Sequence, residues 1–277
     1  MNIGIRLHDA APGTLSQRAQ AVKQQGFSCV HLALGKVLDA SYMDPCAATP
    51  GLAAQVRRDL DGLDIAVLGC YLNLTHPDET AYRQILKKYF AHVRLSRWMN
   101  AGVLGTETGN PNAQYQYDPL RSHTREALEM FIRRVAPVVE CCEQFGVVLA
   151  IEPVYDHIVT DGRAARYVLD QVRSENLKII LDPVNLLHPD NFDRREQVIG
   201  EAIDLLSDDV MILHMKDYVP GGSKYQACAC GLGVMDYTQV LRFAKQRKPH
   251  VQMTMENTLP ANAQAARLHL ETLAAAL

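Results

Sequence analysis

Charge of one sign is what this 277-residue sequence most plainly lacks. Its 28 Lys and Arg stand against 31 Asp and Glu, a formal net charge of −3, so no overall field draws the chain to a polyanion and no nucleic-acid partner is expected. Cys-x-x-Cys pairs are also missing. The seven cysteines (Cys29, Cys46, Cys70, Cys141, Cys142, Cys228 and Cys230) are odd in number and form no disulfide framework, which points to a reducing cytoplasm. Cys228-Ala229-Cys230 is a thiolate pair without further thiolates at ligand spacing.

No apolar run approaches the ~20 residues of a membrane span. The start, Ile3-Gly4-Ile5-Arg6-Leu7, has neither the basic region nor the long apolar stretch of a signal peptide. A soluble, cytoplasmic protein with no membrane partner is expected. A glycine-rich phosphate turn after an early strand, the mark of a doubly wound dinucleotide fold, is absent, and no linker or low-complexity tract divides the chain. The one tryptophan, Trp98, lies in a helical pattern beside Arg94, Leu95 and Met99 and is a packing residue.

What is present is alternation. Short β-rich runs at 3–7, 29–33, 65–71, 102–106, 147–152, 178–182, 210–214 and 251–256 are separated by segments with apolar residues at helical spacing. The helical segments are 15–25, 52–60, 81–100, 124–145, 162–172, 195–206, 237–246 and 263–276, and Gly26 and Gly146 sit at two of their ends as stop signals. Eight such units predict one α/β domain over 1–277, a (β/α)8 TIM barrel. In the first run Ile3, Ile5 and Leu7 share one face. In a barrel that face packs on helices, so Arg6 and His8 point inward.

Each of the last four runs ends on a metal-competent residue: Ala150-Ile151-Glu152-Pro153, Ile180-Leu181-Asp182-Pro183, Ile212-Leu213-His214-Met215 and Thr254-Met255-Glu256-Asn257. The gaps are 30, 32 and 42 residues, each about one βα unit. Parallel strands deliver their C-terminal residues to one mouth, where barrel active sites lie. Three carboxylates and an imidazole in one place form a dense negative charge, which a divalent cation relieves. Oxygen-rich donors with one nitrogen suit Mn²⁺, with Mg²⁺, Co²⁺ or Zn²⁺ also compatible. Four protein ligands on a six-coordinate ion leave two positions for a vicinal carbonyl and hydroxyl of a sugar.

At these residues the sequence resembles the xylose-isomerase-like TIM-barrel superfamily, the sugar phosphate isomerase/epimerase group in particular. The resemblance extends to Gly69-Cys70-Tyr71-Leu72-Asn73-Leu74-Thr75-His76-Pro77, Gly105-Thr106-Glu107-Thr108-Gly109, Leu213-His214-Met215-Lys216-Asp217 and the segment 231–237. It implies carbohydrate metabolism and an isomerase or epimerase whose metal is held by Glu152, Asp182, His214 and Glu256. It also implies that Glu152 and Glu256 are the catalytic acid and base, exchanging a proton α to a carbonyl through a metal-stabilised enediolate. A homo-oligomer is implied as well. The pattern departs in two places. Asn185 stands where those epimerases carry a histidine, with His188 three residues on. Their arginine beyond the metal-binding histidine is absent, leaving Lys216 or Lys224 as substitutes.

Substrate contacts are expected from His8, His76, Glu107, Asn185 and Lys216. For His76 the alternative is a loop residue that merely begins a helix, and His157 is read as a loop residue. Gly231-Leu232-Gly233 allows a close turn whose N–H groups could receive an anion. Two other activities fit the same barrel. One is a metal-dependent dehydratase or lyase of a keto-inositol or related polyol. The other is an endonuclease IV-like repair enzyme, which calls for additional histidines where this chain has Glu107 and Asn185.

Overall fold

The structure is a computed structural model that describes residues 2–221 and 225–277; Lys224 lies outside them. Among the described residues there are ten strands: β1 (Asn2–Arg6), β2 (Cys29–Leu32), β3 (Asp64–Gly69), β4 (Val103–Glu107), β5 (Leu149–Glu152), β6 (Leu177–Leu181), β7 (Val210–Met215), β8 (Asp217–Val219), β9 (Gln226–Cys228) and β10 (Gln252–Met255). Eight of them close a parallel barrel in the order β1-β10-β7-β6-β5-β4-β3-β2, with helices between them, as the alternation predicts. Short β8 and β9 form a separate antiparallel pair that the alternation does not reveal.

The strands form where they do because both their faces are covered. β2 and β5 are buried at every position, as parallel strands between a barrel interior and a helical ring must be. The outward residues (Ile5 and Leu7, Val30 and Leu32, Leu149 and Ile151, Ile179 and Leu181, Leu213 and Met215) pack in one large core with the helices. Each such side chain contributes about 1.5–3 kcal/mol on burial. Trp98 packs against this core.

The inward residues form a second, small cluster of Cys29, Ala66, Val67, Val103, Ala150, Ile180 and Ile212, which plugs the barrel. Two residues further along each strand the alternation brings up the next interior layer. There the sequence supplies Arg6, His31, Gly69, Gly105, Glu152 and His214 within the strands, and Asp182 and Glu256 just beyond them. The apolar plug therefore gives way to a polar layer within one period of the pleat.

Helix boundaries follow side-chain chemistry. Asp78, Thr124 and Asp161 accept from backbone N–H groups at the starts of Glu79–Met99, Arg125–Phe145 and Gly162–Val172. Gly146 closes the second of these in the left-handed region at φ 61°. Among the described residues no helix is long and apolar enough to cross a membrane.

Candidate metal centre

The four predicted ligands converge at the C-terminal mouth, all of them buried. His214, from β7, turns Nδ1 between two glutamates: Glu152 Oε1 lies 3.1 Å away and Glu256 Oε1 3.3 Å away. Asp182 follows β6. Its Oδ1 accepts from the backbone N–H groups of Val184 at 2.9 Å and Asn185 at 3.2 Å, which fixes the carboxylate and aims Oδ2 into the site. Asn185 donates its side-chain amide to Glu152 Oε1 at 2.7 Å. The residue that departs from the epimerase pattern therefore orients one of the predicted ligands.

Lys216 occupies the centre. Its Nζ lies 2.9 Å from Asp182 Oδ2 and 3.3 Å from Glu256 Oε2, while Arg6 Nη1 approaches Glu256 Oε2 at 3.4 Å from β1. This corrects part of the charge argument made from sequence. Three carboxylates do meet here, but Lys216, Arg6 and a protonated His214 meet them. Burial alone would lower the His214 pKa; the carboxylates of Glu152 and Glu256 outweigh it and hold it at about 9. Burial likewise acts to raise Glu256, but Lys216, His214 and Arg6 outweigh it and keep that carboxylate ionised. Asp182 is raised, first by burial, and Lys216 is raised because Asp182 and Glu256 overcome its desolvation.

Charge imbalance is thus no longer the reason to infer a cation; the donor set is. Ligand atoms gather into two trios within 4.8 Å of one another, Glu152–Asp182–His214 and His31–His214–Glu256, which share His214. Oxygen donors with imidazole nitrogen fit a divalent ion of the Mn²⁺ or Zn²⁺ type, and Nδ1 of His214 already faces two of the carboxylates. No trio of cysteines is among these groups.

The remaining expected contacts divide. Glu107 ends β4 in register with Glu152 and accepts from Tyr115 Oη at 2.9 Å; burial raises its carboxyl. His157 Nε2 lies 3.9 Å from Glu107 Oε2, so this loop histidine does reach the rim. His8 lies near the mouth, its pKa lowered by burial and then by Arg6. His76 is bound locally: its Nδ1 accepts from Asp78 N–H at 3.1 Å, in the turn that opens the next helix. His188 stacks on Tyr155 with centroids 4.2 Å apart and is not among the gathered ligand atoms. Asn185 and Lys216 also line an adjoining cavity of about 150 Å³, with Tyr155, Val184, His188 and Tyr225 on its walls.

The Gly231–Gly233 turn does receive an anion, and it belongs to this chain. Asp217 accepts from Gly231 N–H at 3.0 Å and from Met235 N–H at 2.8 Å. A Cβ on Gly233 would collide with the Tyr218 carbonyl and the Asp217 carboxylate. This loop is pinned directly behind Lys216.

The family described as xylose isomerase-like TIM barrel matches residues 19–274. The chain belongs to that family. Solved structures superimpose over nearly the whole chain. The 3-keto-D-glucoside 4-epimerase YcjR from E. coli aligns with a TM-score of 0.75 and 14% identity, over 98% of this chain and 99% of that one. The IolI protein with a bound zinc atom aligns with a TM-score of 0.74 and 13% identity, over 99% and 96%. AsbF from Bacillus anthracis, assigned as a 3-DHS dehydratase of petrobactin synthesis, aligns with a TM-score of 0.71 and 13% identity, over 99% and 98%. At these identities the likeness is one of fold. No curated protein matches this xylose isomerase-like barrel by sequence.

Reading strand ends missed His31. It lies inside β2, at the same level as Arg6 of β1, and the apolar partners Val30 and Leu32 on the other face were the available signal.

Proposed function

We propose that this protein is a divalent-metal-dependent isomerase or epimerase acting on a small sugar or sugar phosphate. The observation that carries the proposal is the placement of Glu152 and Glu256. The two side chains come from opposite sides of β7 in the barrel order, and both present Oε1 to the same nitrogen of His214, at 3.1 and 3.3 Å. Two carboxylates flanking one site are what proton removal and return at a carbon α to a carbonyl require.

Glu256 is held ionised by Lys216, His214 and Arg6, the form a base needs. Glu152, oriented by Asn185, is the partner that returns the proton. Lys216 carries a full positive charge at the inner end of the cavity it lines. There it lowers the energy of negative charge growing on a substrate oxygen. A divalent cation bound by Glu152, Asp182, His214 and Glu256 would supply Lewis-acid stabilisation of that charge. Asn185 and Lys216 contact substrate oxygens, and Glu107 and His8 line the rim. His76 has Nδ1 engaged in its own turn, which leaves Nε2 as its one nitrogen for a substrate oxygen.

Deuterium wash-in tests the assignment. With Mn²⁺ supplied, a panel of ketoses, aldoses and inososes is expected to yield one compound that takes up deuterium at a single carbon. Exchange should be lost in Glu256→Gln and Glu152→Gln. A product lighter by one water would move the assignment to a dehydratase. Metal-loaded protein that exchanges no proton in any member of the panel would refute it.

A further inference from the structure

His31 has no role in the proton transfer described above, yet its position is costly. The side chain is fully enclosed, and neither Nδ1 nor Nε2 has a hydrogen-bond partner among the described residues. Leaving a buried polar group unsatisfied costs about 1–3 kcal/mol. The surroundings are nonetheless shaped to accept this ring. Position 69 on β3 is glycine, and a Cβ there would stand 2.7 Å from His31 Nε2 and 2.7 Å from Tyr71 Cε2. The pairing of β2 with β3 also shifts between Val30 and His31: Val30 pairs with Ile65 and His31 with Val67, so Ala66 is an extra residue. Bulges of this kind re-aim side chains beside functional sites.

The ring lies against the proposed ligands. It stacks on His214 with centroids 5.2 Å apart and planes at 16°, and its Nδ1 lies 4.0 Å from Glu256 Oε1. Ligand atoms of His31, His214 and Glu256 lie within 4.8 Å of one another. Burial and the neighbouring His214 keep the His31 imidazole neutral, the form with a lone pair to give. A hydrogen-bonding role toward Glu256 alone leaves the second nitrogen and the 4.0 Å gap unexplained.

We propose that His31 is a metal ligand of this chain, joined with His214 and Glu256, so that the site offers an ion two imidazole donors rather than one. The inference rests on the metal-binding part of the proposed function and adds a donor the strand-end pattern does not contain. Its chemical consequence is selectivity. A second nitrogen donor biases a carboxylate-rich site away from Mg²⁺ and Mn²⁺ and towards Zn²⁺ or Co²⁺.

Counting coordinated imidazoles is the test, with the metal alone as probe. Wild-type protein loaded with one equivalent of Cu²⁺ is expected to show two imidazoles by pulsed EPR. His31→Phe, which keeps a stacked ring, should show one. Titration of His31→Phe with Zn²⁺ should give binding at least tenfold weaker than wild type, with the Mg²⁺ affinity little changed. A second measurement needs no variant: in long-range ¹H–¹⁵N spectra of the wild type, Zn²⁺ should shift ring nitrogens of both His31 and His214. A wild-type spectrum with one imidazole, or a Zn²⁺ shift confined to His214, would overturn the role of His31 and leave the metal centre standing. Wild-type protein that binds no divalent ion at this site would remove both.

Discussion

Asn185 Nδ2 and Glu152 Oε1 are 2.7 Å apart, and the same oxygen lies 3.1 Å from His214 Nδ1. The amide therefore presses one carboxylate oxygen towards the shared imidazole nitrogen. Groups that orient a ligand typically govern metal affinity by 10–100-fold. Asn185→Ala is expected to weaken Mn²⁺ binding by at least about tenfold in calorimetry while leaving the fold intact. Unchanged affinity would show that Glu152 needs no such support.

Lys216 is the internal counter-ion of Asp182 and Glu256, buried between them. Removing one partner of a buried ion pair costs about 3–5 kcal/mol, because the charges left behind are uncompensated. Lys216→Met is accordingly expected to lower the unfolding free energy by roughly that amount in chelator, measured by urea denaturation. Saturating Mn²⁺ should restore most of the loss, since the ion replaces the missing positive charge. Equal loss with and without metal would mean that Lys216 acts through packing alone.

The His214 proton sets a pH dependence with a definite sign. Its folded pKa of about 9 lies above the ~6.5 of an unfolded histidine. In metal-free protein the protonated ring thus contributes stability fully below about 6.5, and that contribution is lost as pH rises through about 9. Metal binding runs the other way, because only the neutral ring ligates. The apparent Mn²⁺ dissociation constant is expected to rise close to tenfold per unit as pH falls from 8 to 7, with release of about one proton detected by calorimetry in buffers of different ionisation heat. A flat profile would place the ion away from His214.

Gly69→Ala tests the space beside His31. With a Cβ forced to 2.7 Å from both His31 Nε2 and Tyr71 Cε2, overpacking is expected to cost about 1–3 kcal/mol. In the His31→Ala background part of that cost should vanish, because residues in contact do not behave additively. Full additivity in the four denaturation curves would mean that the strand shifts as a whole to make room.

Much of this architecture was legible in advance. Spacing alone predicts helices over 162–172, 195–206 and 263–276, and the structure has helices with those bounds. Arg6 was placed inside the barrel from three alternating aliphatics, and it meets Glu256 there. His31 is not marked by the strand-end pattern, because it sits within β2. The β8–β9 pair is not legible in the sequence, because strands of three residues leave no periodicity to read. His76 Nδ1 accepts a hydrogen bond from Asp78 N–H in its own turn, a local contact that its loop position does not announce.

The sequence by itself determined the parallel barrel, through eight alternations, and with it the delivery of Glu152, Asp182, His214 and Glu256 to one mouth. Strand direction and the two-residue pleat require that convergence whatever the loops do. Only the tertiary structure decided how the charges in that mouth are balanced. Whether Lys216 turns inward between two carboxylates, or Asn185 towards Glu152, depends on side-chain torsions and on a loop pinned by Asp217, and no local pattern encodes either. The spacing of four strand ends therefore points to a candidate metal site, and the packed interior shows that any ion bound there would compete with a lysine and a proton.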